Sequence, residues 1–273
     1  MLQDILPHRL DISFHPAAPG PDSRALVFDG EKLLAAQTGG GMTLPRLADC
    51  RPSRRPIFAF RLDETDFFLL LSPTAAADGF SMLPVSVLRR AAPKETAFAA
   101  LTGYQLYKWY RDNRFCGRCG SPLEPARGER ALRCGCGNIV YPRINPVVIV
   151  GVTNGEKLLM TRYAAGAYRN WALVAGFVEV GETPEDAARR EVFEETGLRI
   201  RSLRYVAAQP WAFSDSLLLG FFAALDGPDA ITVQQSELSE AAWIPRGEIR
   251  HPPEDFSLTG ELIDRFVQGR EPR

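Results

Sequence analysis

The chain is poor in histidine. Its 273 residues include only His8, His15 and His251, and no two of them are close in sequence. This scarcity argues against a catalytic triad built on histidine and against a histidine-rich metal site. Any chemistry should therefore rest on carboxylates or on cysteines.

The chain also has little net charge and no long apolar run. Its formal net charge is -1 and its isoelectric point is near 6.4, so nothing predicts a general attraction to nucleic acids or membranes. The longest apolar runs, 67–71 and 217–225, are far too short to span a bilayer. The N-terminus lacks the basic and apolar regions of a signal peptide. We expect a cytoplasmic protein.

Length and composition indicate an ordinary globular protein with several domains. Apolar residues make up 45% and charged residues 24% of the chain, as is typical of soluble domains. We predict a strand-rich N-terminal domain over 1–110, a zinc-ribbon-like segment over 111–142 and a further domain over 143–273. In the first domain RALVFDG, KLLAAQ, PIFAFRL and DFFLLLS favour strands. Its last part, 94–113, has the apolar spacing of a helix.

Four of the five cysteines cluster directly after this helix, at Cys116, Cys119, Cys134 and Cys136. Four thiolates suit a structural zinc ion, because they leave no open position for water. A zinc ribbon ordinarily has two Cys-x-x-Cys pairs, whereas one residue separates Cys134 from Cys136. The alternatives are a weak fourth ligand or four reduced cysteines without metal. Cys50 stands alone and is typical of a small buried apolar residue.

A helix with clear limits is predicted over 184–196. Thr183 and Pro184 fit the N-cap and the first helical position. Gly197 fits the left-handed position that follows a last turn. The helix should therefore begin and end at these residues.

Three glutamates, Glu191, Glu194 and Glu195, fall within five residues of this helix. Positions three and four apart are neighbours on a helix, so we expect the carboxylates to share one face and to raise one another's pKa. Together they make a hard oxygen site suited to Mg²⁺ or Mn²⁺. Such cations would neutralise a diphosphate and acidify a water for attack at phosphorus. The alternative is an ordinary solvated acidic face.

Residues 176–198, GFVEVGETPEDAARREVFEETGL, fit Gly-x5-Glu-x7-Arg-Glu-apolar-x-Glu-Glu-x-Gly-apolar without a gap. In this signature the chain resembles the Nudix hydrolase family. The resemblance implies that Glu191, Glu194 and Glu195 hold catalytic metal ions. Glu182 could bond back to Arg190 or reach the metals. Arg190 is better placed to brace the loop and the glutamates than to act as a base.

Two further features resemble the NADH pyrophosphatase subfamily of that family. One is the four-cysteine segment before the Nudix signature, and the other is AQPWAFSDS from position 208, which partly fits Ser-Gln-Pro-Trp-Pro-Phe-Pro-x-Ser. Gln209, Trp211 and Phe213 match and are expected to contact the substrate through an amide and two rings. The alternative for the rings is an ordinary place in the core. The departures are Ala208, Ala212 and Ser214.

The same resemblance implies roles for four more positions. Phe177 would stack on the nicotinamide end of the substrate. Tyr141 and Glu129 would help to build the pocket from the partner subunit of a homodimer, although Glu129 could equally be a solvated surface residue. Glu237 would serve catalysis or metal binding, with Glu240 as the competing choice.

Together these features predict an α+β fold. It comprises a C-terminal Nudix α/β/α sandwich with a mixed sheet, preceded by a zinc-ribbon segment and a small strand-rich N-terminal domain. The expected reaction is Mg²⁺- or Mn²⁺-dependent hydrolysis of NADH or NAD⁺ to the nicotinamide mononucleotide and AMP, with removal of NAD caps from RNA as a second activity. The alternatives are a Nudix hydrolase for ADP-ribose or a nucleoside triphosphate, and a non-catalytic zinc-ribbon binding protein.

Overall fold

The computed structural model describes residues 1–15, 17–39, 41–72, 78–165, 170–250 and 256–272. The chain divides into two compact units, Leu2–Arg143 and Ile144–Arg273, the second of which also includes Met1. The cysteine segment lies within the first unit. Its separation as a third part remains a prediction.

The first unit opens with a sheet that has seven strands in its described residues. They are β1 (Leu10–Asp11), β2 (Arg24–Asp29), β3 (Lys32–Thr38), β4 (Gly41–Thr43), β5 (Ile57–Leu62), β6 (Thr65–Leu70) and β7 (Ser81–Pro84). The order is β1-β5-β6-β2-β3-β4, with β7 also paired to β3. The four strand-like runs of the sequence correspond to β2, β3, β5 and β6, so those predictions are confirmed.

A helix, α1 (Lys94–Asp112), follows this sheet and ends one residue earlier than expected. It approaches β2 closely at Gly103, because a Cβ there would overlap the Leu26 side chain. Cys50 is buried in the apolar cluster of the sheet, which confirms the interpretation of the lone cysteine. After α1 come three short strands, β8 (Glu124–Pro125), β9 (Leu132–Arg133) and β10 (Ile139–Val140), in the order β10-β9-β8.

The second unit is built on a six-stranded sheet. Its elements are β11 (Asn145–Asn154), β12 (Lys157–Tyr163), β13 (Val174–Phe177), α2 (Pro184–Thr196), β14 (Ile200–Trp211), β15 (Ser216–Leu225), β16 (Leu238–Pro245) and α3 (Leu258–Val267). The strand order is β14-β15-β11-β12-β16, with β13 paired to β11. Strands β11 and β15 are parallel, and the other pairs are antiparallel. The sheet is therefore mixed, as predicted.

Strand β11 shows how this sheet comes to lie between two helices. Successive side chains of a strand point to opposite faces. Val148 and Val150 pack in the cluster that contains the apolar residues of α2, whereas Ile149 packs in the cluster that contains those of α3. The expected α/β/α sandwich is confirmed.

The helices are of moderate length. The longest among the described residues, α1, has 19 residues and carries several charged side chains. Within the described ranges, no helix has the length and apolar content that a bilayer crossing requires.

Candidate metal and substrate site

Helix α2 has the limits that its flanking residues predict. The Thr183 Oγ1 accepts a hydrogen bond from the backbone N–H of Asp186 at 3.2 Å, which satisfies one of the free donors of the first turn. Gly197 ends the helix with φ of 70°, and its N–H donates to the carbonyl of Phe193. These local signals are sufficient to fix the helix, so its predicted bounds are confirmed.

The buried stripe of α2 includes two of the three clustered glutamates. Ala188 and Val192 pack against the sheet, and Glu191 and Glu195 continue the same stripe at helical spacing. Both of these glutamates are buried, whereas Glu194 is exposed. The charge of Glu194 adds to the raised pKa of Glu191, as expected of neighbours on one helix face, but Glu194 differs from the other two glutamates in its exposure. Glu194 lies about 100° around the helix from each neighbour in sequence, and this rotation turns it to solvent.

Glu195 is the most deeply placed carboxylate of the site. Its relative exposure is 2%, and its Oε2 is buried without a hydrogen-bond partner among the described residues. Burial, and then the charges of Glu191 and Glu237, raise the pKa of Glu195 to about 8. Desolvation, and not the charge repulsion expected from the spacing of the glutamates, is thus the larger cause. A buried oxygen without a partner is costly unless something binds it.

Glu191 lies beside the strand that faces the helix. Burial raises the pKa of Glu191 above its ordinary value, the Arg190 guanidinium opposes this shift, and the charges of Glu194 and Glu237 add to it. Its carboxylate occupies the space next to Gly176 of β13, where a Cβ would overlap it. The first glycine of the signature therefore makes room for the carboxylate of Glu191.

Arg190 binds the loop and the helix together. A guanidinium has five N–H donors, and all five are used in the structure. Two go to Glu182 at 2.9 Å each, and the others go to Glu191 at 2.8 Å, Glu194 at 3.0 Å and the carbonyl of Phe177 at 2.9 Å. This arrangement supports the bracing role over a role as a base.

Glu182 is one partner in that arrangement. Its carboxylate accepts the paired hydrogen bonds from Arg190 and one from the backbone N–H of Glu179. The Arg190 hydrogen bonds, and then that backbone bond, hold the pKa of Glu182 below its ordinary value. Of the two roles left open by the sequence, the structure has Glu182 bonded back to Arg190.

Glu237 reaches the site through the end of α2. The last carbonyls of a helix lack partners within it, and here those of Glu195 and Thr196 accept from the backbone N–H groups of Gln234 at 3.0 Å and Thr232 at 2.9 Å. The loop held in this way carries Glu237, whose charge raises the pKa of both buried glutamates. No local sequence signal indicates these contacts.

Glu240 lies in a different setting. It belongs to β16 and accepts a hydrogen bond from Arg162 of β12 at 3.0 Å, on an exposed part of the sheet. Its charge is not among the causes that raise the pKa of Glu191 or Glu195. The geometry therefore favours Glu237 over Glu240 as the downstream acidic residue.

The donor set fits a divalent cation. Carboxylate oxygens are the ligands that Mg²⁺ and Mn²⁺ prefer. The charge of Glu237 raises the pKa of both Glu191 and Glu195. Among the described residues, the buried Oε2 of Glu195 has no hydrogen-bond partner, and a cation would supply one. A cation would favour the ionised forms that burial disfavours.

The aromatic candidates occupy two different positions. Phe177 ends β13 with 53% of its surface exposed, so its ring is open to a ligand while its carbonyl is held by Arg190. Trp211 and Phe213 lie at and after the end of β14, half-buried, with ring centroids 5.1 Å apart. Trp211 packs on the α3 side of the core. This position agrees with the alternative interpretation of the ring as an ordinary core residue.

Gln209 is not open to a ligand. It is fully buried, its Nε2 donates to the carbonyl of Phe256 at 2.8 Å, and its Oε1 accepts from the N–H of Leu258 at 2.6 Å. Both ends of the amide thus hold the start of α3. We correct the predicted substrate contact accordingly, because a fully buried amide that holds the start of α3 is not exposed to a ligand.

Tyr141 and Glu129 form a pair in the first unit. The Tyr141 hydroxyl donates to Glu129 at 3.1 Å, and Arg133 donates to the other carboxylate oxygen. The Arg133 bond, and then that of Tyr141, lowers the pKa of Glu129. The Tyr141 ring is 54% exposed. Glu129 is therefore a hydrogen-bonded residue of a surface cluster.

The four clustered cysteines converge on one point. Their Sγ atoms all lie within 4.8 Å of one another, with 3.7 Å between Cys116 and Cys136 and 3.4 Å between Cys119 and Cys134. Four sulfurs about 2.3 Å from one zinc ion are about 3.8 Å apart. Cys134 and Cys136 therefore fit a zinc site although only one residue separates them in the sequence. The cluster supports structural zinc.

Two glycines allow the cysteine pairs to turn. Gly120 and Gly137 follow the second cysteine of each pair with φ of 75° and 88°, a conformation that suits glycine. Trp109, Leu123 and Leu132 form a small core under two of the cysteines. The ribbon thus has little apolar burial of its own, which is typical of a fold that a metal stabilises.

Two families of known proteins match the chain. Residues 142–266 match the NUDIX domain, and residues 111–141 match the NADH pyrophosphatase zinc ribbon domain. A crystal structure of a NUDIX hydrolase from Nitrosomonas europaea aligns with a TM-score of 0.50 and 27% identity, over 58% of this chain and 94% of that one.

Two curated relatives match over different lengths. A protein of Chromobacterium violaceum named NAD-capped RNA hydrolase NudC is 33% identical over 251 residues, which cover 91% of this chain and 94% of that protein. A protein of Salmonella typhi with the same name is 39% identical over 166 residues. That match covers 60% of this chain and 64% of the relative, so it spans less than two thirds of the relative's length.

Proposed function

Because the chain belongs to the Nudix family, in the group that carries the NADH pyrophosphatase zinc ribbon, we propose that it hydrolyses the diphosphate of NADH. Water adds to one phosphorus and the bridging oxygen leaves, which yields reduced nicotinamide mononucleotide and AMP. NAD⁺ would be cleaved in the same way. The observation that carries this proposal is the buried Oε2 of Glu195, which has no partner among the described residues and whose carboxyl has its pKa raised by burial and by the charges of Glu191 and Glu237.

Four carboxylates would hold the divalent cations, Mg²⁺ or Mn²⁺. They are Glu191, Glu194, Glu195 and Glu237. When bound, such cations neutralise a diphosphate and acidify a water. Arg190 would act as a positioning residue, since its donors are all engaged in holding the loop and the carboxylates.

The exposed ring of Phe177 would hold the nicotinamide end of the substrate. Arg190 of α2 donates a hydrogen bond to the carbonyl of Phe177. The ring that would bind the nicotinamide is thus held to the helix that carries the glutamates. Trp211 and Phe213, at and after the end of β14, would contact the substrate at a second position. In a homodimer, which we also propose, Tyr141 and Glu129 would serve the pocket of the second copy.

A second activity would be removal of NAD caps from the 5′ ends of RNA. Two relatives bear the name NAD-capped RNA hydrolase, and the diphosphate to be cleaved is the same in the free dinucleotide and in the cap. The clustered thiolates of the ribbon suit a reducing compartment, so we place the protein in the cytoplasm.

The test is product analysis after incubation with NADH, with and without Mg²⁺ or Mn²⁺. We expect AMP and reduced nicotinamide mononucleotide in equal amounts, and only with metal. The absence of AMP with both metals would contradict the proposal. Parallel incubations with ADP-ribose and with nucleoside triphosphates separate the rival Nudix activities, because a triphosphate would release pyrophosphate.

A further inference from the structure

Charge is divided unevenly between the two units. Residues 2–143 contain 19 Lys and Arg against 14 Asp and Glu, an excess of five positive charges. Residues 144–273 contain 13 against 19, an excess of six negative charges. The near-neutral total thus conceals a basic unit, and basic units favour polyanions as partners.

Part of the excess lies in the ribbon. Residues 111–143 contain seven arginines and three carboxylates. Zinc with four thiolates would carry a net charge of −2, and the segment would still be positive by two. The zinc site therefore does not cancel the positive charge around it.

Several ribbon arginines are already engaged. Arg111 pairs with Asp112, and Arg133 pairs with Glu129. Arg130 donates to the carbonyl of Ile12. Three others have exposed side chains and form no ion pair with any residue that the structure describes. These three are Arg114, Arg118 and Arg127.

One of these arginines lies beside an exposed aromatic ring, and another follows three residues after that ring in the chain. Phe115 is 59% exposed, and the Arg114 guanidinium lies 5.8 Å from its ring centroid. Arg118 follows two residues after Cys116, and its backbone N–H donates to the Cys116 sulfur at 3.4 Å. We call Arg114, Phe115 and Arg118 the knuckle face.

The backbone of the knuckle face is hydrogen-bonded although its side chains are exposed. The backbone of Phe115 pairs with that of Pro122, and the N–H of Leu123 donates to the carbonyl of Arg114 at 3.0 Å. The small core of the ribbon is formed by other residues, so the Phe115 ring is not needed to fill it. A large apolar ring held in solvent by a fixed backbone is a surface that can stack on a ligand.

We propose that the knuckle face binds the single-stranded RNA chain that follows an NAD cap. Every base offers a face on which an aromatic ring can stack, and flanking arginines neutralise the adjoining phosphates. Small zinc knuckles are among the modules that bind single strands in this way. The inference rests on the proposed activity toward capped RNA, and it assigns the RNA body to the first unit.

The test uses an uncapped single-stranded RNA of about 12 nucleotides, labelled at its 3′ end, and fluorescence anisotropy. Phe115→Ala should weaken binding at least about fivefold, and the double variant Arg114→Gln/Arg118→Gln about tenfold. The double variant should also reduce the slope of log affinity against log salt by about 1.4, at about 0.7 per phosphate contact. NADH cleavage and zinc content should stay at the wild-type level in both variants.

The matched control is Arg54→Gln, which removes the same charge from an exposed arginine of the first unit, outside the ribbon. It should bind RNA as the wild type does. An equal loss in this control, equal binding of duplex RNA, or unchanged binding by the knuckle variants would overturn the proposal, as would a wild type that binds no RNA.

Failure of the proposed function gives a different result, namely no NADH cleavage by the wild type while RNA binding is still measured. Should Phe115→Ala lose zinc, the arginine variant decides alone. In the wild type the Arg114 and Arg118 side chains are exposed and lie outside the ribbon core, so their replacement should not affect folding.

Discussion

The carboxylate of Glu191 occupies the space into which a side chain on Gly176 would project. The two residues are on different elements, α2 and β13, which pack closely because this glycine has no Cβ. The first position of the Nudix signature and one of its glutamates are thus joined by a steric requirement.

We expect Gly176→Ala to reduce kcat about 100-fold. The new methyl group would push the Glu191 carboxylate out of place, and small displacements of catalytic groups have effects of this size. Overpacking should also cost about 1–3 kcal/mol of unfolding free energy. The measurements are NADH turnover and thermal unfolding. The control is Gly247→Ala, where a Cβ would meet nothing within 4 Å, and it should behave as the wild type. Equal activity of both variants would contradict the steric argument.

The stability of the metal-free site should fall as pH rises. The pKa of Glu195 is about 8 in the folded protein against an ordinary 4.5, so the folded state binds more protons than the unfolded state between these values. The contribution of this group to stability is therefore fully present below pH 4.5 and is lost as pH rises through 8. Without added Mg²⁺ or Mn²⁺, Glu195→Gln should become more stable relative to the wild type across this window.

Denaturant unfolding at pH 5, 6, 7 and 8 measures this difference. Glu185→Gln, which changes an exposed carboxylate in the first turn of the same helix, is the matched control for removal of a carboxylate from α2. A pH-independent difference for Glu195→Gln would show that this carboxyl is not held neutral. Glu195→Gln should also lose NADH turnover by several orders of magnitude.

Glu237 and Glu240 offer a matched pair on the same stretch of chain. Glu237→Gln should lower kcat at least about tenfold and raise the Mg²⁺ concentration needed for half-maximal rate, because it removes a charge near both buried glutamates. Glu240→Gln should change both quantities less than about twofold, since it removes only an exposed ion pair. Measuring the rate of each variant as a function of Mg²⁺ concentration tests both expectations. Equal losses of kcat in the two variants would contradict the preference for Glu237 over Glu240.

The ribbon should contain one zinc ion per chain. Cys136→Ser removes one of the four converging sulfurs, so zinc content should fall and the first unit should unfold at a lower temperature. Cys50→Ala changes the buried cysteine in the apolar cluster of the N-terminal sheet, and this variant should keep its zinc. Elemental analysis with thermal unfolding measures both effects. A wild type that is folded and free of zinc would refute the assignment.

Features that depend on residues close together in the sequence were predicted correctly. The bounds of α2 follow from Thr183, Pro184 and Gly197, and the cysteine cluster follows from the spacing of its members. Glu195 differs, because its desolvation depends on β13 and on the loop bonded to the helix end. Such burial arises from tertiary packing. The sequence therefore identified Glu195 as a site residue but did not predict desolvation, the main cause of its raised pKa.

Gln209 shows the opposite error. Its place in a recognisable motif favoured a ligand contact, but its partners, Phe256 and Leu258, lie 47 and 49 residues further along the chain. Contacts at that separation leave no trace in the local pattern. Phe177 and Arg190 were both predicted as site residues, yet the hydrogen bond that joins them was found only in the structure.

The buried amide of Gln209 also limits how the chain can be shortened. It holds the first turn of α3 from inside the domain, on the strand that leads to Trp211 and Phe213. Removal of the last helix would take away the donor to the Gln209 Oε1 and uncover the apolar cluster that α3 forms with the sheet. A truncated version intended for crystallisation or for fusion to another protein should therefore retain the chain through Val267.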